Sequence, residues 1–513
     1  MLLIGCSKNL DLKNPNDLNT SAYWKTQEQA IAGNIGVYQA LIEEGCYMHW
    51  TPVLTDGRGD DIQAISPWLN YQWISNFTIG NHSNDPFQQM VVWEEWYILI
   101  FRANQVLENV PTIKMDENLK TRIIGQTLFL RGMAYFKLAN LFKDVPVITS
   151  TPKSPNDYFP FTAPEDTLWN RIFTDLKNAK SMLPISYINV TGPDAGQIGR
   201  ATKGAATGLL GKAYLYRKLW QQAADEFSLL IKGPDLNIYS LVPKYQDNFT
   251  ILNENNPESL FEVQFATIDQ VGGSVVNWRG DPASSWQQVS AEAANYSNTA
   301  WTDFLPTQWI YNEFKIEKTI DGKTDPRLLA TIASYEPADN DTMYYGQGWL
   351  SSGKTSSIMF IRKYTNDGTP GITSDLPGGN PASGINFRVL RYADILMLYA
   401  EALNELGKTS EAYTYIQQVR NRVNLPDLAV TKPGMNQAQM RDQLAHERAL
   451  EFAIEGQRVD DLIRWGWFYD AAKLAELQSH DAEFNTWTSG REYLPIPQNE
   501  LDNNKNLSRN SAN

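Results

Sequence analysis

The stretch 386–467 constrains the fold more than any other part of the chain. Within FRVLRYADILMLYAEALNELGKTSEAYTYIQQVRNRV, the residues Ile395, Leu398, Tyr399, Ala402, Leu403 and Leu406 recur at helical spacing, which predicts a helix with one apolar face. Gly407 ends that helix. Thr409 or Ser410 is placed to cap the next, whose apolar line is Ala412, Tyr415, Ile416, Val419 and Val423. Ala402, Gly407 and Ala412 put small residues where a helix-turn-helix repeat of about 34 residues, of the tetratricopeptide type, needs close contact and a tight turn. A second copy lies upstream, with Ala213 and Tyr214 on one helix, Ala223 and Phe227 on the next, and Pro234 as the breaker. Any antiparallel helix pair favours small residues at its crossing, so the agreement of two copies carries the reading.

The second half of the stretch, HERALEFAIEGQRVDDLIRWGW, is denser in charge. Arg448 and Glu451, Glu455 and Arg458, and Asp461 and Arg464 are spaced i,i+3 and are expected to form a solvated ion-pair ladder that locks two helices. Glu447 and Glu451 could do acid–base work only in a cleft that raises a carboxyl pKa, and no sequence feature supplies one.

The runs LRYADILMLYAEALNELG, ERALEFAIEGQRVDDLIRWG and REYLPIPQNELDNNKNLSRN closely resemble the SusD/RagB family. RGMAYFKLANLFKDVPVI at 131–148 and GRATKGAATGLLGKAYLY at 199–216 extend the resemblance to both ends of the chain. It implies an outer-membrane, cell-surface lipoprotein that binds a glycan beside a SusC-like TonB-dependent transporter. RagB-like relatives imply peptides as a rival ligand class. The expected fold is all-α: a right-handed scaffold of tetratricopeptide-like helix-turn-helix repeats with an irregular, loop-rich insertion. The expected organisation is one domain over 1–513, with a lipid tether at 6–25 and repeat helices at 26–235, including a loop at 51–86. The insertion then covers 236–385, and further repeat helices with an extended tail cover 386–513.

Charge and cysteine usage exclude several classes. A net charge of −14 argues against a nucleic-acid partner, because phosphate binding needs clustered Lys and Arg. Two cysteines exclude a disulfide framework. Leu3-Ile4-Gly5-Cys6 has the pattern of a lipoprotein signal end, and with the resemblance it makes Cys6 the expected lipidation site, although the segment before it is shorter than a complete signal peptide. No run reaches the ~18 apolar residues of a spanning helix, so acyl chains would hold the protein, each CH₂ contributing about 0.8 kcal/mol. Cys46 is expected to be a buried thiol.

Helices are predicted over 26–44, 87–110, 117–142, 166–183, 203–219 and 223–231, with short strand-like runs at 260–265 and 357–364. Tyr493-Leu494-Pro495-Ile496-Pro497 reads as an extended segment packed on the scaffold. Gly348-Trp349-Leu350-Ser351-Ser352-Gly353-Lys354-Thr355 matches a phosphate loop letter for letter. Its flanks lack the strand and helix that such a loop needs. His49, His82, His446 and His480 are scattered, and Asp56, Asp60 and Asp61 lack the alternation of a calcium loop, so no metal or cofactor is expected.

Aromatic usage carries the functional reading. The chain has sixteen Trp, and Trp68, Trp73, Trp278, Trp286, Trp301, Trp309 and Trp349 fall outside the helical stripes. An indole offers a flat apolar face to the C–H side of a pyranose, while amide and charged groups serve its hydroxyls. The expected platform therefore combines Trp68, Asn70 and Trp73, with Arg58 and Asp61 just upstream, and Trp278, Trp286 and Trp301 from the insertion. This predicts non-catalytic capture of an oligosaccharide or polysaccharide and its delivery to the transporter. Peptide capture and, further off, a glycoside hydrolase with two carboxylates about 5–10 Å apart remain open.

Overall fold

In the computed structural model the chain is described over residues 23–82, 87–267, 289–377, 381 and 383–512. Helix α1 (Gln27–Gln39) opens with a capping box in which Thr26 and Gln29 satisfy each other's backbone N–H groups. After α2 (Trp50–Asp56), strand β1 (Ile62–Ala64) and α3 (Leu69–Ser75) come the long helices α4 (Phe87–Asn109), α5 (Glu117–Phe142), α6 (Glu165–Met182), α7 (Lys203–Tyr216) and α8 (Trp220–Lys232). Consecutive members of α4–α8 pack against one another, and the α7–α8 pair is the one whose small-residue spacing is legible in the sequence.

The middle of the chain is built from short pieces: β2 (Ser259–Val263), α9 (Glu292–Tyr296), β3 (Phe304–Pro306), α10 (Gln308–Phe314) and α11 (Pro326–Thr331). They are followed by β4 (Ile332–Ala333), β5 (Met343–Tyr344), β6 (Gln347–Gly348) and β7 (Phe360–Ile361). Strand β8 (Phe387–Arg391) leads directly into α12 (Tyr392–Glu405) and α13 (Thr409–Arg422), then α14 (Gln437–Glu451), α15 (Arg458–Trp465), α16 (Ala471–His480) and α17 (Gln498–Asn503). The strands form two-stranded antiparallel pairs, β1–β3, β2–β8, β4–β7 and β5–β6, so the fold is helical with small sheet clamps.

The α12–α13 hairpin turns at Gly407, whose φ of +76° favours glycine. The α7–α8 hairpin places Lys218 at φ +57° in the equivalent turn. Helices α8 and α12 pack together and join the two repeat sets. Neither Thr409 nor Ser410 caps α13, which starts at Thr409 behind Lys408 without a side-chain cap. The tail behaves as read: Leu494 N–H donates to the Leu141 carbonyl at 2.7 Å, and Leu494 and Ile496 are buried.

Two further expectations change. The stretch 51–86 is not one loop but contains α2, β1 and α3. All seven residues of α2 are buried, so the helix is covered on every side and has no amphipathic period to read. The charged pairs of 447–464 are not a solvated ladder. Only Asp461–Arg464 forms as spaced, at 2.7 Å. Arg448 reaches Asp394 and Asp461, each at 2.7 Å, while Glu455 meets Lys363 at 2.9 Å and Arg391 at 2.7 Å. Arg391 also holds Glu258 at 2.8 Å and Glu451 at 2.6 Å. These side chains are buried where the repeats meet the middle segment. The pairing therefore crosses elements instead of running along one helix.

Candidate functional site

Strand β1 pairs with β3 through Ile62↔Pro306, Gln63↔Leu305 and Ala64↔Phe304. The ladder is prolonged by Ile65 and Ser66, whose N–H groups donate to the Asp303 carbonyl at 2.8 and 3.1 Å. Trp68 lies two residues beyond Ser66 and Trp301 two residues before Asp303, so this clamp brings both to the same end of the ladder. Ser66 shapes the turn. Its hydroxyl accepts from Trp68 N–H at 3.2 Å and its carbonyl from the Gln72 amide at 3.0 Å. The result is an indole standing out from the surface, with Trp68 70% exposed.

Trp301 is half-buried on a tight loop, its N–H donating to Ala294 at 2.9 Å, and its ring lies 5.8 Å from that of His49. Beneath it, the Tyr71 hydroxyl donates to Asn295 at 3.1 Å and sits 3.2 Å from His49 Nε2. Burial pushes the His49 imidazole down to about 4, outweighing its bond to Asn295, so the ring is neutral at physiological pH. Burial raises the Asp303 carboxyl to about 6, against a hydrogen bond from Ser66. The floor of this face is thus a packed aromatic and hydrogen-bonded layer.

The expected residues separate into three groups. Trp68, Asn70, Trp73 and Trp301 lie on or beside this face. Asn70 is half-buried and its side chain accepts from the Tyr71 N–H at 3.1 Å. Trp73 is half-buried with His82 stacked on it at 3.8 Å and 7°, so one indole face is taken. Arg58 and Asp61 are corrections, because each is only 1% exposed. Arg58 donates to the carbonyls of Leu54 at 2.7 Å and Glu492 at 2.6 Å, and Asp61 accepts from the Ile454 N–H at 2.9 Å. They tie the turn after α2 to the C-terminal region, and no ligand reaches them from the surface. Trp278 and Trp286 lie outside the described residues.

Trp309 and Trp349 are structural. Trp309 stacks on His480 at 4.2 Å, and Trp349 is buried with its indole donating to the Thr355 carbonyl at 2.9 Å. The phosphate-loop match is a hairpin and turn, with Lys354 Nζ on the Ser352 hydroxyl at 2.9 Å and no helix after it. Ile65, Leu69 and Phe87, absent from the expected platform, are 45%, 58% and 38% exposed, and the first two add apolar surface beside Trp68. A signal existed, since Ile65 and Leu69 bracket Pro67-Trp68 in a segment too short to bury them.

Residues 257–512 match the family model for the SusD family, and residues 8–215 match one described as starch-binding and associating with the outer membrane. The chain belongs to the SusD family. It is 26% identical over 522 residues to the SusD-like protein P2 of Formosa agariphila, covering 100% of this chain and 97% of that one. The starch-binding protein SusD of Bacteroides thetaiotaomicron is 22% identical over 452 residues, 80% of this chain and 76% of its own. Among solved structures, a SusD superfamily protein of Bacteroides vulgatus superposes with a TM-score of 0.79 at 27% identity, covering 96% of this chain and all of that one. A laminarin-binding SusD-like protein superposes at 0.72 and 26% identity, covering 95% and 99%.

Proposed function

We propose that this protein captures a neutral glycan at the cell surface, without chemistry on it, and hands it to a TonB-dependent transporter in the outer membrane. The observation that carries the reading is Trp68, 70% exposed on a turn that leaves the β1–β3 clamp at the same end as Trp301. Together with exposed Ile65 and Leu69 beside it, the ring forms an apolar patch of the kind that marks a binding surface. The name of the laminarin-binding relative supports a glycan as that partner. Asn70 supplies an amide at the rim, and Trp73 contributes less than Trp68 because His82 covers one of its faces. Trp278 and Trp286 are proposed to complete the platform, and Cys6 to carry the lipid anchor.

Calorimetric titration with laminarin, starch and other neutral polysaccharides tests the site. Trp68→Ala and Trp301→Ala are each expected to weaken binding about tenfold, roughly 1.4 kcal/mol, with the melting temperature nearly unchanged for Trp68. Wild-type affinity in both variants would remove the site from this face, and peptide binding without glycan binding would transfer the reading to the peptide class. In a precursor with a complete signal peptide, Cys6→Ala is expected to release the protein from the membrane fraction. Unchanged membrane association would end the anchor assignment.

A further inference from the structure

The turn between α7 and α8 runs along two neighbouring cavities that share Arg464 in their walls. Tyr216 and Arg217 line the smaller, about 140 Å³, and Lys218 and Trp220 line the larger, about 560 Å³. Neither contains a residue of the Trp68–Trp301 face.

The smaller cavity holds unanswered polar groups. Among the described residues Asn140 Nδ2, the Tyr216 hydroxyl and Asp460 Oδ1 are buried and have no hydrogen-bond partner, and all three residues belong to the lining of this cavity. Asn140 and Asp460 are only 9% and 4% exposed. Native interiors pair nearly all such groups with protein or ordered water, so a water or a ligand hydroxyl entering this space would answer them. Lys143, also in the wall, has φ +64° and ψ −68° and is the centre of a γ-turn closed by Asp144 N–H on the Phe142 carbonyl at 2.8 Å. That backbone state is rare and strained for a side-chain-bearing residue. The runs that carried the family resemblance converge here: 131–148 through Asn140 and Lys143, 199–216 through Tyr216, and 447–466 through Asp460 and Arg464.

The larger cavity falls within the span of small-molecule sites, about 300–1,000 Å³. Six of its eight charged side chains pair within its own walls, while Lys218 takes no part in these pairs and Asp470 caps α16. Arg441 holds Glu405 through two bonds of 2.7 Å, Arg464 holds Glu401 at 2.8 Å, and Lys473 holds Asp442 at 3.1 Å. The wall as a whole carries four basic and four acidic side chains and so no net charge, which suits a neutral ligand. Trp220 and Trp465 are half-buried and come from different elements, and they give the groove its flat apolar surfaces.

The donor and acceptor set narrows the ligand. Asn140 Nδ2 donates, Asp460 Oδ1 accepts, and the Tyr216 hydroxyl does either. A phosphate or carboxylate would accept from Asn140 but oppose Asp460. An ammonium group would suit Asp460 but face Lys143, while Arg217 is already paired with Glu165 of the same wall. Neighbouring hydroxyls donate and accept together, and two of them on one ring match the set. We propose that this groove is a second oligosaccharide-binding site, with vicinal hydroxyls of a sugar in the polar cavity and adjoining rings against Trp220 and Trp465. The choice of ligand class rests on the glycan reading above, while the residues are its own.

The intact protein is titrated by calorimetry with laminarihexaose, cellohexaose and mannohexaose beside three variants: Trp68→Ala/Trp301→Ala, Tyr216→Phe and Trp220→Ala. Tyr216→Phe removes only a hydroxyl that has no protein partner, so it leaves the fold intact and decides the matter even if Trp220→Ala unfolds. Residual binding of a hexaose is expected in Trp68→Ala/Trp301→Ala. Adding Tyr216→Phe or Trp220→Ala to that variant should weaken it about tenfold. Loss of all binding in folded Trp68→Ala/Trp301→Ala overturns the second site and leaves the first standing. Full binding there, abolished by Tyr216→Phe, does the reverse. Tyr216→Phe that leaves every affinity unchanged means the cavity holds water only and overturns the proposal. No binding of any hexaose by the folded wild type overturns both.

Discussion

Arg458 is the first residue of α15, yet its partner stands near the other end of the chain. Its guanidinium donates to Asp60 at 2.8 Å, and His480 Nδ1 lies 2.8 Å from the same carboxylate. Burial alone would raise the Asp60 carboxyl, but Arg458 beside it overrides that and holds it at about 2. Arg458→Ala is expected to cost about 3–5 kcal/mol, because it strands a buried carboxylate, while glycan affinity per folded molecule stays unchanged. Urea denaturation and calorimetry of the same preparation check both halves, and lost binding at wild-type stability would make Arg458 a ligand residue. The individual charges were legible in the sequence and their partners were not. Spacing along one helix names neighbours within a turn or two, and Asp60 is nowhere near in sequence. The same limit hid Arg58 and Asp61 in the interior. A polar side chain in a glycine-rich turn looks identical whether another segment covers that turn or water does.

Helix α7 shows what the elements contribute. Every residue from Gly204 to Leu215 is buried, so the helix has no polar face, and its glycines let neighbours approach. A Cβ at Gly208 would lie 2.7 Å from Leu390 of β8, and one at Gly211 would lie 2.6 Å from the Phe227 ring of α8. Gly211→Ala gains about 1 kcal/mol in helix propensity but forces a fully buried ring aside, at about 1–3 kcal/mol. A net loss near 1 kcal/mol is expected, read as a lower urea midpoint at unchanged slope. A variant more stable than wild type would show that the α7–α8 contact has slack. The repeat hairpins were readable because their signals are local: periodic apolar residues, a small residue at the crossing, a glycine at the turn. Strand β8 was not. It runs straight into α12, and only pairing with β2 makes it a strand.

At the scale of the whole molecule, the buried carboxyls set how stability depends on pH. Asp60 and Glu451 are held at about 2 by neighbouring arginines against the pull of burial. Their stabilisation is complete above the unfolded values near ~4 and is lost as pH falls toward 2. Asp56, Glu254 and Asp303 are shifted the other way, to about 7, 7 and 6, chiefly by burial and for Asp56 also by Asp61. Groups raised in this way bind protons more tightly folded than unfolded, so the stability they add is full below about pH 4 and declines as pH rises through 6 and 7. The melting temperature is therefore expected to peak at about pH 4–5, drop modestly by pH 8 and drop steeply toward pH 2. A flat profile from pH 5 to 8 would mean these carboxyls are hydrated. The sequence by itself determined the repeat helices, the tail packed on them and the family, because each depends on residues a few positions apart. Tertiary structure alone decided which tryptophans stand in water, which charges are buried and where the donors and acceptors of a cavity are left unmatched. Those properties depend on which distant segment covers a side chain, and no local spacing encodes that.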